Sequence, residues 1–215
     1  MRAAVSGPNP WKVAIVLEEL GLPFEQEFLD IAILHTPAYE HINPNGRVPA
    51  ITDPNTGITL WETGAIIEYL IETYDAAHLL SLPNAPEKFL LKQWLFFQVS
   101  GQGPYFGQAM WFIRFHPERV ESAIRRYRDE MLRVLGVLNS ALAGKTYLVG
   151  EKCTYADLSF VTWDQAIPVA FADDYAALEL DKKYPSYWAW KERLLARPAV
   201  KKILAEKAET MAKRK

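Results

Sequence analysis

Two stretches hold residues whose types and spacing suit the binding of an extended, charged ligand. One is Asn43-Pro-Asn-Gly-Arg-Val-Pro-Ala-Ile51, and the other is Leu60-Trp-Glu-Thr-Gly-Ala-Ile-Ile-Glu-Tyr-Leu70. Asn43 to Gly46 reads as a turn, Val48 to Thr52 as a short strand, Asp53 to Gly57 as a second turn and Ile58 to Leu60 as a second strand. Pro49 breaks the pattern, because a proline has no N–H to give to a sheet ladder. A kinked, cis Val48-Pro49 bond would account for it by turning the Val48 backbone outward to meet an extended ligand. Glu62 then opens an amphipathic helix. By residue type alone, Glu62-Thr63 is a helix cap and Asn9 is another. His35 reads as a surface histidine, and Arg47 as half of a surface pair. Tyr105, Phe106, Trp111, Phe112 and Phe115 suit either a helical core or an apolar cleft.

Other chemistries find no support in the spacing. His35, His41, His78 and His116 have no metal-ligand spacing among themselves or with Cys153, so no metal is expected. Cys153 reads as a small buried apolar residue. Gly101-Gln-Gly-Pro-Tyr-Phe-Gly107 looks like a phosphate loop only superficially, since it follows no strand. No motif argues for a Ser-His-Asp order.

The elements that must position these residues fall into two kinds. Met1 to Val5 is a short strand, Ser6 to Pro10 a loop, and Trp11 to Leu20 a helix with Val13, Val16, Leu17 and Leu20 on one face and Gly21 as its stop. Phe24 to Ile31 reads as an extended strand, followed by a looser segment from Ala32 to Ile42. Leu80 to Pro86 is a linker. Beyond it, Glu87 to Phe115 is helical with an interruption at Gly101 to Pro104. Pro117 suits a first helical position for a helix over Glu118 to Leu142, with Ile124, Met131, Leu132, Leu135 and Leu138 at helical spacing. Thr154-Tyr-Ala-Asp157 has capping-box spacing, and further helices start at Pro185 and Pro198. The expected organisation is an α/β domain over 1–79, a linker over 80–86 and an all-α domain over 87–215.

These residues resemble the glutathione site of the glutathione S-transferase family. There a Val-Pro step before the third strand pairs with the cysteinyl backbone of glutathione, and an acid-hydroxyl pair at the start of the third helix holds its γ-glutamyl end. Val48, Pro49, Glu62 and Thr63 match those positions, with threonine standing where the family usually has serine. The chemistry is sound: exposed N–H groups and the positive end of a helix dipole bind a carboxylate, while Glu62 takes the ammonium. The element order resembles the same family, which implies an N-terminal thioredoxin-like domain followed by a helical C-terminal domain. Within the family, Trp94 to Ala109 is similar to the fungal branch related to the prion-forming nitrogen regulator, whose Asn/Gln-rich extension has no counterpart here. In that branch, and in the related bacterial nu-type enzymes, an asparagine matching Asn9 contacts the glutathione thiol. The serine of other classes falls on Gly7, which leaves Ser6 as the alternative activator.

The resemblance also implies that His35 and Arg47 lie near the glycyl carboxylate. Tyr105, Phe106, Trp111, Phe112 and Phe115 would line a cleft between the domains for a bulky apolar substrate. The function implied is glutathione conjugation or glutathione-dependent reduction of a disulfide or peroxide, with glutathione as co-substrate and a homodimer as the assembly. A non-catalytic glutathione-binding regulator and a glutathione-adding enzyme of fungal secondary metabolism are the alternatives.

Composition sets the outer bounds. The chain has 215 residues, 50% hydrophobic and 13% aromatic, which is enough for a substantial core. Its net charge of -2 and single cysteine argue against a nucleic-acid partner and an internal disulfide. Only Lys213-Arg-Lys215 is locally basic. The short Met1–Val5 segment and the lack of a membrane-length apolar run lead to the expectation of a cytoplasmic protein.

Overall fold

The computed structural model describes residues 1–3 and 7–213. They form two compact units, one containing Met1–Ser81 together with the chain from Arg197 onward, and the other Leu82–Ala196.

The first unit carries a four-stranded sheet in the order β2-β1-β3-β4. The strands are β1 (Arg2–Ala3), β2 (Glu27–Phe28), β3 (Ala50–Thr52) and β4 (Thr59–Trp61). β1 pairs parallel with β2 and antiparallel with β3, and β3 pairs antiparallel with β4. The expected strand over Met1 to Val5 is described only through Ala3. Helix α1 (Pro8–Glu19) begins three residues earlier than its apolar pattern suggested. The reason is local: N–H groups in a first helical turn have no intrahelical partner, so Pro8 and Pro10 lose nothing there. Gly21 follows the helix at a φ of 65°, as its role as a stop requires. The segment expected to be loose is ordered instead, with a 3₁₀ turn at Ile31–His35 and helix α2 (Pro37–Glu40). Asp30 accepts from the Ala32 N–H and Pro37 starts α2, both turn-initiating devices that apolar periodicity does not report. Helix α3 (Thr63–Tyr74) completes this part of the chain.

Between β3 and β4, the Asp53 carboxylate accepts from the Asn55 N–H and from the Tyr69 and Tyr74 hydroxyls of α3. The two tyrosines, Tyr69 first, hold Asp53 below the usual carboxylate range. The hairpin carrying β3 and β4 is thereby fixed to the helix that follows it.

The second unit is entirely helical in its regular elements. It comprises α4 (Ala85–Phe97), α5 (Gly103–Arg114), α6 (Glu121–Ala141), α7 (Tyr155–Leu158), α8 (Val161–Asp164), α9 (Ile167–Phe171), α10 (Leu180–Lys183) and α11 (Pro185–Leu195). The interruption expected near Gly101 is one π-helical turn, Gln98–Gln102, between α4 and α5. The wider turn brings Gln98 and Gln102 together at 3.0 Å in the core. α6 starts later than expected because the His116 ring closes a turn on the Glu118 backbone, which leaves Pro117 outside the helix. Helix α12 (Pro198–Ala212) belongs to the first unit and packs on α1. It is tied there by a two-pronged Arg197–Glu19 pair, both contacts at 2.6 Å, and by Lys202 on Glu18 at 2.8 Å.

Two buried carboxylates organise the helical unit. Asp157 is the acid of the Thr154–Asp157 capping box. Asp164 accepts from Gln102 Nε2 at 2.8 Å and from the Tyr187 hydroxyl at 2.9 Å. Burial pushes the Asp164 carboxyl up from 3.8 to about 7. The folded state therefore binds more protons than the unfolded state between those values, and this contribution to stability is lost as pH rises through that window. The melting temperature is expected to fall between about pH 4 and about pH 7, and Asp164→Asn should flatten the fall. An unchanged slope in the variant would show that another group carries it.

No helix of the described residues is long and apolar enough to cross a membrane.

Candidate functional site

The site is built on the turn leading into β3. Gly46 sits at a φ of 61°, and a Cβ there would lie 2.6 Å from the His35 ring and 3.0 Å from the Leu34 carbonyl, so only glycine fits. The Asn43 carbonyl accepts from the Gly46 N–H, and the Asn43 side-chain oxygen accepts from the Asn45 N–H. Two donors, the Tyr39 hydroxyl at 2.7 Å and the Asn43 amide, fix the Arg47 carbonyl. The next peptide bond, Val48-Pro49, is cis. Pro49 is buried and Val48 half-buried. The strand begins only at Ala50, so the proline stands outside the ladder it could not join. Among the described residues, neither the N–H nor the carbonyl of Val48 meets a hydrogen-bond partner. A backbone donor and acceptor on one residue beside a sheet are what an extended peptide pairs with.

Strand pairing brings the second stretch to the same place. Ala50 pairs with Trp61, which sets Pro49 opposite Glu62. Glu62 is exposed and adopts φ 68°, ψ 117°, a conformation that side-chain-bearing residues avoid. Its side chain makes no capping hydrogen bond, so capping does not account for an acid there. Thr63 is buried as the first residue of α3, whose first-turn N–H groups have no intrahelical partner and carry the positive end of the helix dipole.

A residue that sequence reading passed over completes the site. Lys12 is only 1% exposed, and its ammonium donates to the Thr63 hydroxyl oxygen at 2.8 Å. Burial lowers its pKa from 10.5 to about 7, with Glu62 pulling the other way. A signal was available: α1 is buried along every face from Pro10 to Leu17, and Lys12 is the one charged residue in that run. The apolar periodicity of Val13, Val16 and Leu17 carries no information about it.

Asn9 is not a cap. Gly7 occupies the cap position, and Asn9 is the half-buried second residue of α1, one turn before Lys12. There its amide stands beside the positive end of the helix dipole. Ser6 lies outside the described residues. His35 is exposed, 3.9 Å from the Glu40 carboxylate, with its ring against Gly46. The Arg47 side chain is exposed on the same turn.

The aromatic candidates belong to the helical unit and divide by burial. Phe106 is fully buried, so it serves the core and not a cleft surface. Phe112 stacks on Tyr127 at 5.7 Å, and Tyr105 lies 6.4 Å from the same ring. Trp111 and Phe115 lie against each other at 6.1 Å and are 48% and 65% exposed.

Residues 6–73 match the family described as Glutathione S-transferase, N-terminal domain, and residues 103–198 match Glutathione S-transferase, C-terminal domain. A protein named glutathione S-transferase-like protein gedE from Aspergillus terreus is 48% identical over 210 residues, spanning 93% of this chain and 91% of that protein. The chain belongs to the glutathione S-transferase family. Among solved structures, glutathione transferase URE2P6 of Phanerochaete chrysosporium, in complex with oxidized glutathione, is 46% identical with a TM-score of 0.91, covering 97% of this chain and 95% of that one. Ure2p5 of the same organism, cocrystallized with 1-(S-glutathionyl)-2,4-dinitrobenzene, is 42% identical with a TM-score of 0.90, covering 97% of this chain and 94% of that one. The glutathione S-transferase fold, a thioredoxin-like domain plus a helical domain, is therefore that of this chain, and these Ure2p-type neighbours carry oxidized glutathione or a glutathione conjugate.

Proposed function

We propose that this transferase binds glutathione on the first unit, pairs its cysteinyl backbone with Val48, and activates its thiol with Asn9. The observation that carries the reading is the register-enforced juxtaposition of the Val48 backbone, beside its cis Val48-Pro49 bond, with Glu62 and the first turn of α3. A tripeptide with a free ammonium and carboxylate at one end matches that arrangement. Its ammonium pairs with Glu62, its carboxylate meets Thr63 and the helix N-terminus, and its peptide lies along Val48. The oxidized glutathione and the glutathione conjugate held by the two structural neighbours support the same ligand class. Arg47, exposed on the turn before Val48, supplies positive charge for the glycyl carboxylate, and the exposed His35 ring lies against the same turn.

A glutathione thiol has a pKa of roughly 8.5 and must be ionised to react. The Asn9 amide N–H and the α1 dipole both favour the thiolate. The thiolate sulfur then has two courses. It attacks an electrophilic carbon, forming a C–S bond as the leaving group departs with its electron pair. Alternatively it attacks a disulfide, releasing one thiolate, and a second glutathione resolves the mixed disulfide to oxidized glutathione. A hydroperoxide is reduced with the same balance: two glutathiones become one disulfide, and the peroxide becomes an alcohol and water. An amide activates a thiol less strongly than a tyrosine hydroxyl, so disulfide and peroxide reduction are favoured over attack on aryl halides. The exposed Trp111 and Phe115 suit a bulky apolar second substrate.

The deciding experiment measures glutathione-dependent reduction of a mixed disulfide and of an organic hydroperoxide, with parent and Asn9→Ala side by side. The parent is expected to turn over and Asn9→Ala to lose tenfold or more, about 1.4 kcal/mol of transition-state stabilisation. Equal rates would remove Asn9 from the mechanism. Absence of turnover while glutathione still raises the melting temperature would leave a binding site without this chemistry.

A further inference from the structure

Lys12 is at odds with its surroundings. It sits in a helix buried on every face from Pro10 to Leu17, where a leucine or methionine would fill the same space without desolvating a charge. Burying an ammonium costs several kcal/mol unless a partner offsets it. One partner is the Thr63 hydroxyl at 2.8 Å, and Glu62 acts on the same amine electrostatically.

An ammonium has protons to give and no lone pair. While Lys12 is protonated, the Thr63 hydroxyl therefore accepts from it, and its own hydroxyl proton is turned away from the lysine. Thr63 is also the first residue of α3, where unpaired N–H groups and the positive dipole end already favour an anion. A carboxylate arriving there meets a hydroxyl whose proton is available to it and a cation directly behind that hydroxyl. Glu62, the neighbouring residue, draws the Lys12 pKa upward and helps keep the amine protonated, while its own exposed carboxylate remains accessible to a ligand ammonium. The zwitterionic end of a γ-glutamyl group presents both charges in that order.

We propose that Lys12 is a positioning residue of the glutathione site, orienting the Thr63 hydroxyl toward the γ-glutamyl α-carboxylate and placing a buried positive charge behind it. The proposal rests on the glutathione reading above, and it makes Lys12 a determinant of selectivity for γ-glutamyl ligands. Electrostatic support transmitted through one hydroxyl in a water-poor setting is stronger than the same charge in bulk solvent.

Calorimetry with two probes tests it: S-methylglutathione, whose thiol is blocked, and the analogue in which the γ-glutamyl α-carboxylate is replaced by hydrogen. The parent is expected to prefer S-methylglutathione by about twentyfold or more, the loss of one charge-assisted interaction. Lys12→Met should bind S-methylglutathione about tenfold more weakly, bind the decarboxylated analogue as the parent does, and so lose most of the discrimination. A discrimination ratio in Lys12→Met equal to the parent's would overturn the proposal, as would equal weakening toward both probes, the mark of a purely structural lysine. If Lys12→Met does not fold, Thr63→Val serves in its place, because it removes the relaying hydroxyl and keeps the charge. It should then lose discrimination in the same way, and full discrimination in Thr63→Val would overturn the relay. A parent that binds neither probe would refute the glutathione reading itself, and the role of Lys12 with it.

Discussion

Asp157→Ala is expected to cost the helical unit about 4 kcal/mol, the penalty of removing one partner from a buried charged network. The Asp157 carboxylate accepts four hydrogen bonds: from the Thr154 N–H at 2.9 Å, the Thr154 hydroxyl at 2.8 Å, the Leu148 N–H at 2.9 Å and the Trp190 indole N–H at 2.9 Å. It is fully buried, so no water replaces the lost acceptor. Burial pushes its pKa up, and the four donors oppose that shift. Deleting the side chain strands every donor at once, each at roughly 1 to 3 kcal/mol before relaxation. Removing a single donor should cost less: Thr154→Ala about 1 kcal/mol, in the range of a lost cap. Urea titration followed by tryptophan fluorescence ranks the variants, and an Asp157→Ala midpoint close to that of Thr154→Ala would refute the network account. The effect concerns folding, since Asp157 lies in the core of the helical unit and not among the glutathione-site residues.

Glu62→Gln should raise the dissociation constant for glutathione by about tenfold to a hundredfold, the value of one hydrogen bond to a charged group. The side chain keeps its shape and loses its charge, so the ligand ammonium gives up its counter-ion. Stability should fall only modestly: Glu62 is exposed and its side chain caps nothing, and the one internal interaction lost is its pull on the buried Lys12 ammonium. The companion variant separates backbone from side chain. At φ 68° a glutamate is strained by about 1 kcal/mol or more. Glu62→Gly removes that strain, although glycine also loosens the unfolded chain, so the net gain is at most about 1 kcal/mol. Glu62→Gly is thus expected to hold or raise the melting temperature while weakening glutathione binding as much as Glu62→Gln or more. Opposite movements of stability and affinity are the signature of a residue held in place for its ligand. Unchanged affinity in Glu62→Gln would remove the acid from the site.

Local chemistry carried a large share of this protein into view. Pro49 in front of a strand required a bend, and the bond is cis. Thr154 and Asp157 at capping-box spacing formed that box, and Pro185 and Pro198 began helices because the first helical turn needs no proline N–H. Gly21 stopped its helix at positive φ. Each is decided by neighbours within a few residues, which is the range over which sequence alone has authority.

The remainder depended on contacts across the chain. Asn9 looked like a cap and proved to be inside the helix, because Gly7 supplied the extended residue and two prolines extended α1 backward. Phe106 carried the same aromatic label as Trp111 and is core, since only the packing of α5 decides which face is covered. Lys12 lies 51 positions from Thr63, and no periodicity in either helix foretells that an ammonium should end on that hydroxyl. By itself the sequence determined the bend at Pro49, the Thr154–Asp157 capping box, several helix starts and stops, and the family of the site. Which charges are buried, and which hydroxyl they meet, was decided by tertiary structure, because desolvation and directed hydrogen bonds exist only once distant segments are packed together.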